Sequence, residues 1–308
     1  MNEIVIIGTL NTEVILGPLR KLPSWGRQVL TRELDIRYAG SAVCVALPLR
    51  AMGLASLVVG TVGDDEPGRA IVRRLAEHRL PIAGVRVVKR LPTGACVSFF
   101  RPDGERKYVS SLGAIRALSP STIRKALPSS ARIVLVTGLF LLPGLPLDEV
   151  ARLFRQWRRR GITTCLDTGW DPEGWKRGTL SALGRILSVT DVFLPNLAEA
   201  GAITGERRGE RAARALAALG PATVIIKLGR RGAVGLFDGR FLAHRGFPRD
   251  VRDTTAAGEA FNAAVLLALR KGLCPEETLR FANLVASTFL AHEGRTAHLA
   301  GLHPRETL

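Results

Sequence analysis

Residues 253–264 read D-T-T-A-A-G-E-A-F-N-A-A and run directly into the apolar stretch Val265-Leu266-Leu267-Ala268-Leu269. Two hydroxyl residues, then small residues, then a carboxylate, all ahead of a helical periodicity, predict a helix N-terminus that another molecule can approach closely. Thr254 or Thr255 is expected to cap it. Ala256, Ala257 and Gly258 carry almost no side chain, so the amides of the first turn are open to an anion such as a phosphate. Glu259 then stands beside that anion. A carboxylate there can accept a proton from a hydroxyl, while the amides and the helix dipole hold the charge of a transferring phosphoryl group. A capped core helix shares the outline of this pattern, so the rest of the chain decides between the two.

The 308 residues can bury a large core, as one α/β domain or two smaller ones, and no shift in composition marks a linker. An apolar content of 46% with 32 Gly and 17 Pro fits a globular enzyme rich in turns and excludes a disordered or repeat chain. The start Met1-Asn2-Glu3 has no basic leader, and the apolar run 133–147 is broken by Thr137, Gly138, Pro143, Gly144 and Pro146, too short for a bilayer. A soluble, cytoplasmic protein is expected. The four cysteines, Cys44, Cys96, Cys165 and Cys274, are far apart with no C-x-x-C pair, which argues against zinc and for reduced, buried thiols. The net charge of +17 comes from 44 basic against 27 acidic residues and raises the question of nucleic acid. The arginines are spread along the whole chain, however, with modest clusters at 158–160 and at Arg207, Arg208, Arg211 and Arg214 on solvated helix faces. No zinc-finger spacing, RNA-recognition motif or interleaved aromatics accompany them, so nucleic acid is not the expected partner.

Residues 3–8 read as a buried strand ending in glycine, suited to the carboxyl edge of an α/β sheet. Asn11 and Glu13 follow, and a carboxylate there accepts paired hydroxyl groups well. Short alternating pieces at 28–30 and 34–38, divided by Gly17, Pro18, Pro23 and Gly26, predict hairpin strands outside the main sheet. A second such segment runs from Thr93 through Phe100, turns at Pro102-Asp103-Gly104 and returns over 106–110. From residue 120 the pattern alternates, with strands at 133–136, 162–166, 192–194 and 224–226 and helices at about 147–160, 178–187, 197–203 and 208–219. That is a doubly wound, mostly parallel sheet with helices on both faces. The reading is one α/β domain over 1–308, with segments at about 11–38 and 93–111 set outside its sheet. Asn196 and Glu199, at i and i+3 on one helix face, can both address a hydrated Mg²⁺ held largely by substrate phosphates. No G-x-x-x-x-G-K-[ST] occurs, which excludes a P-loop kinase.

Taken together, these stretches resemble the ribokinase-like (PfkB) carbohydrate kinase family. Residues 253–261 resemble its signature D-T-x-G-A-G-D-x-F through Asp253, Thr254, Ala257, Gly258 and Phe261, with Ala256 in place of a glycine and Glu259 in place of the aspartate base. Gly8 to Glu13 resembles G-x-x-N-x-D, with Glu13 one methylene longer. Residues 39–46 resemble G-G-x-x-x-N-x-A, with Cys44 in place of the amide. Gly63, Asp65 and Gly68 match G-x-D-x-x-G; Thr93-Gly94 and Glu105-Arg106 belong to T-G-x-A…G-E-R; 227–232 resembles T-L-G-x-x-G with Lys227 for the hydroxyl residue; Ala282-Asn283 and Ala286 match A-N-x-x-A.

The resemblance implies a ribokinase-like fold with a small β lid. It implies ATP-dependent phosphorylation of a hydroxyl on a sugar or sugar-like molecule, with Glu259 as general base beside Ala256, Ala257 and Gly258. Asn11, Glu13, Gly40, Cys44 and Arg106 would face the acceptor, and Asn196, Lys227, Gly229, Gly232, Thr255 and Asn283 the nucleotide. Glu199 and Asn196 would organise Mg²⁺ through water, Asp253 would stand at a monovalent cation, and the lid would join a homodimer. Two other readings stay open: a weak or inactive homologue that binds a sugar or nucleotide as a sensor, and a nucleoside kinase.

Overall fold

The computed structural model describes residues 3–102, 105–247, 254–292 and 296–302. The chain opens with β1 (Ile4–Ile7), buried along its whole length, and passes Gly8 into β2 (Asn11–Gly17) and β3 (Glu33–Ala39). Helix α1 (Ser41–Ala51), β4 (Leu57–Gly63), α2 (Glu66–Glu77) and β5 (Val85–Val88) follow, then the hairpin of β6 (Gly94–Phe100) and β7 (Arg106–Ser111). The second half alternates regularly: α3 (Pro120–Ala126), β8 (Ile133–Thr137), α4 (Leu147–Arg159), β9 (Thr163–Asp167), α5 (Arg177–Leu187), β10 (Val192–Phe193), α6 (Leu197–Thr204), α7 (Gly209–Ala217) and β11 (Thr223–Lys227). It closes with β12 (Ala233–Phe237), β13 (Arg240–His244), α8 (Ala257–Lys271) and α9 (Pro275–Ala291).

The larger sheet has nine strands in the order β13-β12-β11-β10-β9-β8-β1-β4-β5. Pairing is parallel from β5 through β11, and β12 and β13 add an antiparallel edge. Strands such as Ile133–Thr137 are apolar runs rather than alternating ones because helices cover both faces. Alternation still assigns the layers: Ile4 and Ile6 join the core beneath α1, α8 and α9, while Val5 and Ile7 join the core beneath α4, α5 and α7. This is the doubly wound fold that the alternating pattern predicts.

The second sheet has four strands, ordered β3-β2-β6-β7. Side chains alternate between its faces with period two. Glu13 pairs with Arg37 and Cys96 on one face; Val14 pairs with Ile36 and Val97 on the other. Residues 28–30, expected as a strand, form none. The β2 edge is filled along all seven positions by 33–39, and residues 28–30 lie exposed without pairing. The Thr31 hydroxyl anchors this connection on the Gly17 carbonyl at 2.7 Å.

The two sheets are joined at Asp65. Its carboxylate caps α2 through the Gly68 amide at 3.0 Å and accepts the Thr93 amide at 2.8 Å and the Thr93 hydroxyl. Burial works against the charge, but these donors hold the Asp65 carboxyl below its ordinary range. The Thr93 hydroxyl also accepts from the Gly63 amide at 2.9 Å, and any Cβ on Gly68 would lie 2.3 Å from the Gly63 carbonyl oxygen. The Gly63, Asp65 and Gly68 phrase is thus the clamp between the start of β6 and the body. The thiols differ from expectation: Cys165 is buried, but Cys44 and Cys96 are half-buried and Cys274 is exposed in the surface turn between α8 and α9.

Candidate active site

Helix α8 begins differently from the capped start expected of it. The N-cap position is Ala256, in the left-handed region at φ 60° and ψ 12°, and no side chain caps it. Because the chain enters through a left-handed residue, neither threonine occupies the N-cap position. The Thr254 carbonyl accepts the Ala257 amide at 3.4 Å, and the Thr255 hydroxyl accepts from Arg106 Nη1, which reaches across from β7. An alanine there costs about 1–2 kcal/mol that a glycine would avoid, yet the conformation is kept.

One turn further on, Asn262 is fully buried beneath the helix start. It belongs to a closed polar triangle. Lys227, the last residue of β11, donates to Asp167 Oδ2 at 3.0 Å and to Asn262 Oδ1 at 3.2 Å; Asn262 Nδ2 donates to Asp167, the last residue of β9, whose other oxygen accepts the Gly169 amide at 3.1 Å. The two ion-pair side chains are 14% and 12% exposed, so solvent screens them little. Burial alone would lower the Lys227 pKa, but the Asp167 and Glu199 carboxylates outweigh it and hold the ammonium charged. The Lys227 ammonium lies 3.7 Å from the point where a side chain on Gly258 would begin.

Asn196 and Glu199 form a complete capping box at the start of α6. Asn196 Oδ1 accepts the Glu199 amide at 2.9 Å, and Glu199 accepts from the Asn196 amide at 2.9 Å and from its Nδ2 at 2.7 Å. Glu199 is buried; desolvation, with Asp167 nearby, pushes its carboxyl up against the opposing pull of Lys227. A backbone bridge sets Asn196 beside Lys227. Between α6 and the loop after β11 lies a cleft of about 540 Å³ lined by Asn196, Lys227, Gly229, Arg207 and Arg231 among others.

A larger hollow, of about 1350 Å³, lies under the four-stranded sheet. Its wall includes Glu13 and Arg37 from that sheet, Cys44 from α1, Arg74 from α2, and Thr255 and Ala256 from the entry to α8. Burial pushes the Cys44 thiol well above its ordinary range, Glu13 and Glu259 add to the effect, and Arg74 and Arg37 oppose it. Glu259 is not part of the wall; it stands between the hollow and the polar triangle. Water still touches Glu259, but the surrounding protein pushes its carboxyl up to about 7, chiefly by desolvation and then by Asp167, with Lys227 opposing and Glu13 adding. It is the carboxyl group felt from both sides, by Cys44 in the wall of the hollow and by Lys227 at the triangle.

The structure therefore brings Asn196, Lys227 and Gly229 together at one cleft and Glu13, Cys44 and Thr255 at the other. Arg106 binds Thr255 and lies 5.9 Å from the Phe100 ring centre. Gly40 starts α1 at φ 99°, where a Cβ would lie 2.3 Å from the Thr9 carbonyl and 2.8 Å from Asn11 Oδ1. Gly232 turns the loop after β11 at φ 84°. Asn283 is buried, donates to the Leu279 carbonyl at 2.8 Å and borders Gly246. Asp253 lies outside the described residues. No cluster of three or more His, Cys, Asp or Glu that could hold a metal occurs among the described residues. Sequence reasoning missed Asp167, Asn262 and Arg74. A polar residue ending a buried parallel strand, where α/β sheets bind ligands, is a signal for Asp167. Asn262 stood three residues after Glu259, on the same helix face. Arg74 has no local signal, being one of several arginines on an amphipathic helix.

A mostly parallel nine-stranded sheet, with its charged cluster at the carboxyl ends of β9 and β11 and a small four-stranded sheet over the adjoining hollow, defines the ribokinase-like class of α/β proteins. The sequence pattern of the pfkB family of carbohydrate kinases matches residues 1–300, and the chain belongs to that family, whose members transfer a phosphoryl group to an alcohol. It is 25% identical over 297 residues to the ribokinase of Haemophilus influenzae, covering 94% of this chain and 93% of the relative. The ribokinase of Arabidopsis thaliana, solved with ribose and ATP, shares the fold with a TM-score of 0.79 at 23% identity, over 98% of this chain and all of that one (100%). An E. coli neighbour solved with ATP and Mg²⁺ gives a TM-score of 0.82 at 19% identity, over 99% and 97% of the two chains.

Proposed function

We propose that this chain transfers the terminal phosphoryl group of ATP to a hydroxyl of a sugar or sugar-like molecule, with Glu259 as the general base. The observation that carries the reading is the position of Glu259 between two cavities of different chemistry. On one side lies the hollow bordered by Glu13, large enough for a sugar; on the other lies the cleft bounded by Asn196, Lys227 and Gly229. A carboxyl group with a pKa of about 7 is matched to taking a hydroxyl proton near neutral pH. The amides of the first turn of α8, with Ala257 and Gly258 leaving room in front of them, suit the charge that builds on a transferring phosphoryl group. Lys227 holds a fixed positive charge behind the same turn, and the Asp167 and Asn262 contacts keep it in place. Under this reading the four-stranded sheet is a lid that excludes water from the hollow.

Mg²⁺ fits these residues in one way. Both Glu199 oxygens already accept hydrogen bonds from Asn196, so this pair would address the ion through water, with nucleotide phosphates supplying the inner ligands. When bound, the ion would neutralise phosphate charge. Use of ATP suits a cytoplasmic protein. Among the described residues no helix is long and apolar enough to cross a membrane. The face of the lid opposite Glu13 carries Leu34 and Ile36, 62% and 51% exposed, which also border the edge of the hollow, and Val109 at 64%; this apolar face suits a second copy of the chain. Light scattering should give a dimer mass that Ile36→Lys reduces to a monomer; a monomer in the unaltered protein would remove this part of the reading.

The central test is ADP release, with Mg²⁺ present, over a panel of sugars, sugar derivatives and nucleosides. Turnover with a sugar-like acceptor supports the proposal. Thermal stabilisation by ATP or sugars with no turnover on any acceptor would leave a binding protein instead.

A further inference from the structure

The acceptor hollow has lost one kind of grip and gained another. Cys44 occupies a position from which an amide could both donate and accept; a thiol does either only weakly. The charged groups around that thiol are Glu13, Glu259, Arg74 and Arg37. Of the two guanidinium groups, Arg37 sits against Asp35 at 2.6 Å, so a carboxylate already offsets its charge. Arg74 differs. It lines the hollow half-buried, and among the described residues its one side-chain acceptor is the neutral carbonyl oxygen of Tyr38 at 2.8 Å. A guanidinium has five N–H donors in a planar fork matched to carboxylate and phosphate oxygens, so a single carbonyl leaves most of that capacity turned to other acceptors. The hollow, at about 1350 Å³, also exceeds the roughly 300–1,000 Å³ that a typical small-ligand site needs. There is room for a sugar and a further charged group.

We infer that the acceptor is an anionic sugar, carrying a phosphate or carboxylate that Arg74 binds at the α2 side of the hollow while the hydroxyl to be phosphorylated faces Glu259. The order of groups follows from charge. An anion beside Glu13 and Glu259 would be repelled, whereas at the Arg74 wall it meets a cation without a carboxylate partner among the described residues. The inference rests on the kinase reading for its chemistry but not for its binding site.

The experiment compares matched acceptors: ribose with ribose 1-phosphate, fructose with its 1- and 6-phosphates, and glucose with gluconate. ADP release and calorimetric binding are both measured. The anionic member of at least one pair should be preferred about tenfold or more in kcat/KM, and Arg74→Gln should reduce that preference about tenfold through KM, with partial recovery in Arg74→Lys. A purely structural tie between α2 and the lid would lower both members of a pair alike, and that result overturns the inference. So does equal or better use of the neutral sugars. If Arg74→Gln fails to fold, the unaltered protein still decides: preference for the anionic partner that fades with rising salt supports the inference, and salt-independent, charge-blind binding refutes it. Anionic sugars that bind without turnover would sink the kinase reading and leave this one standing.

Discussion

The two cavities on either side of Glu259 are built by different physics. On the side of the Asn196–Lys227 cleft, Asp167, Lys227, Asn262, Asn196 and Glu199 are buried or nearly so and make short hydrogen bonds among themselves. In the hollow, Glu13, Cys44 and Arg74 are half-buried around a wide space, and Arg74 has a neutral carbonyl as its acceptor. The first arrangement is rigid because every buried polar group would be costly to strand. The second is loosely committed, and its residues can change with the acceptor at little cost to folding. The departures from the family's pattern fall on both sides: Glu13, Cys44 and Ala256 border the hollow, Glu259 follows at the start of α8, and Lys227 belongs to the buried cluster, while the N-x-x-E is intact.

Substitutions that separate chemistry from stability test the contrast. The largest effect is expected for Glu259→Gln, which removes the base and should lower kcat by about 10²–10⁴-fold with ATP binding retained. Unchanged turnover would move the base elsewhere. In the unaltered enzyme, activity should rise with pH through about 7, because Glu259 must lose its proton, and should fall roughly tenfold per unit below that.

Next comes Lys227→Met. Stranding the Asp167 carboxylate should destabilise the fold by about 3–5 kcal/mol in urea unfolding, whereas Glu13→Gln in the hollow should cost under about 1 kcal/mol and act mainly on acceptor KM. Equal stability losses at the two positions would erase the distinction between rigid and loosely committed sides.

A smaller effect follows from linkage. The folded protein holds the Glu259 proton up to about pH 7 against an ordinary value of 4.5, so it binds more protons than the unfolded chain across that interval. Stability from this group is therefore fully present below about pH 4.5, declines as pH rises toward 7, and levels off above. Glu259→Gln should accordingly be more stable than the unaltered protein at pH 8, by at most about 3 kcal/mol, with the gain vanishing near pH 4. The smallest change expected is Ala256→Gly, a gain of about 1 kcal/mol or less, since relief of the left-handed alanine is partly offset by the extra freedom of glycine when unfolded. A loss on that substitution would mean that the left-handed start is not strained.

Much of this could be read along the chain. The apolar runs that became β1, β8 and β9 and the periodicities of α4 and α5 showed the doubly wound sheet, because burial on two faces leaves its mark within a few residues. That Asn196 and Glu199 open a helix on one face was also legible, but the spacing was read as addressing an ion rather than as the capping box the pair forms. The threonines of 254–255 misled because a side chain's capping role depends on the backbone angle at which the chain enters the helix, and Ala256 sets that angle. Residues 28–30 misled because alternation alone does not make a strand: the β2 edge went to 33–39, and 28–30 bury no face that would hold them against another strand. Asp167 and Lys227 are 60 residues apart in sequence, and nothing near either one announces the pair.

From its sequence alone, the protein was bound to be an α/β fold with a helix starting on small residues ahead of Phe261, since local propensity and the pattern of burial suffice for both. Only the folded molecule decided which charges meet: that Lys227 is held by Asp167 and Asn262, that Arg106 crosses to Thr255, and that Arg74 faces the hollow with no carboxylate to balance it among the described residues. The reason is that electrostatic interactions act through space over a few ångströms, between residues that the chain brings together only after its sheets have formed.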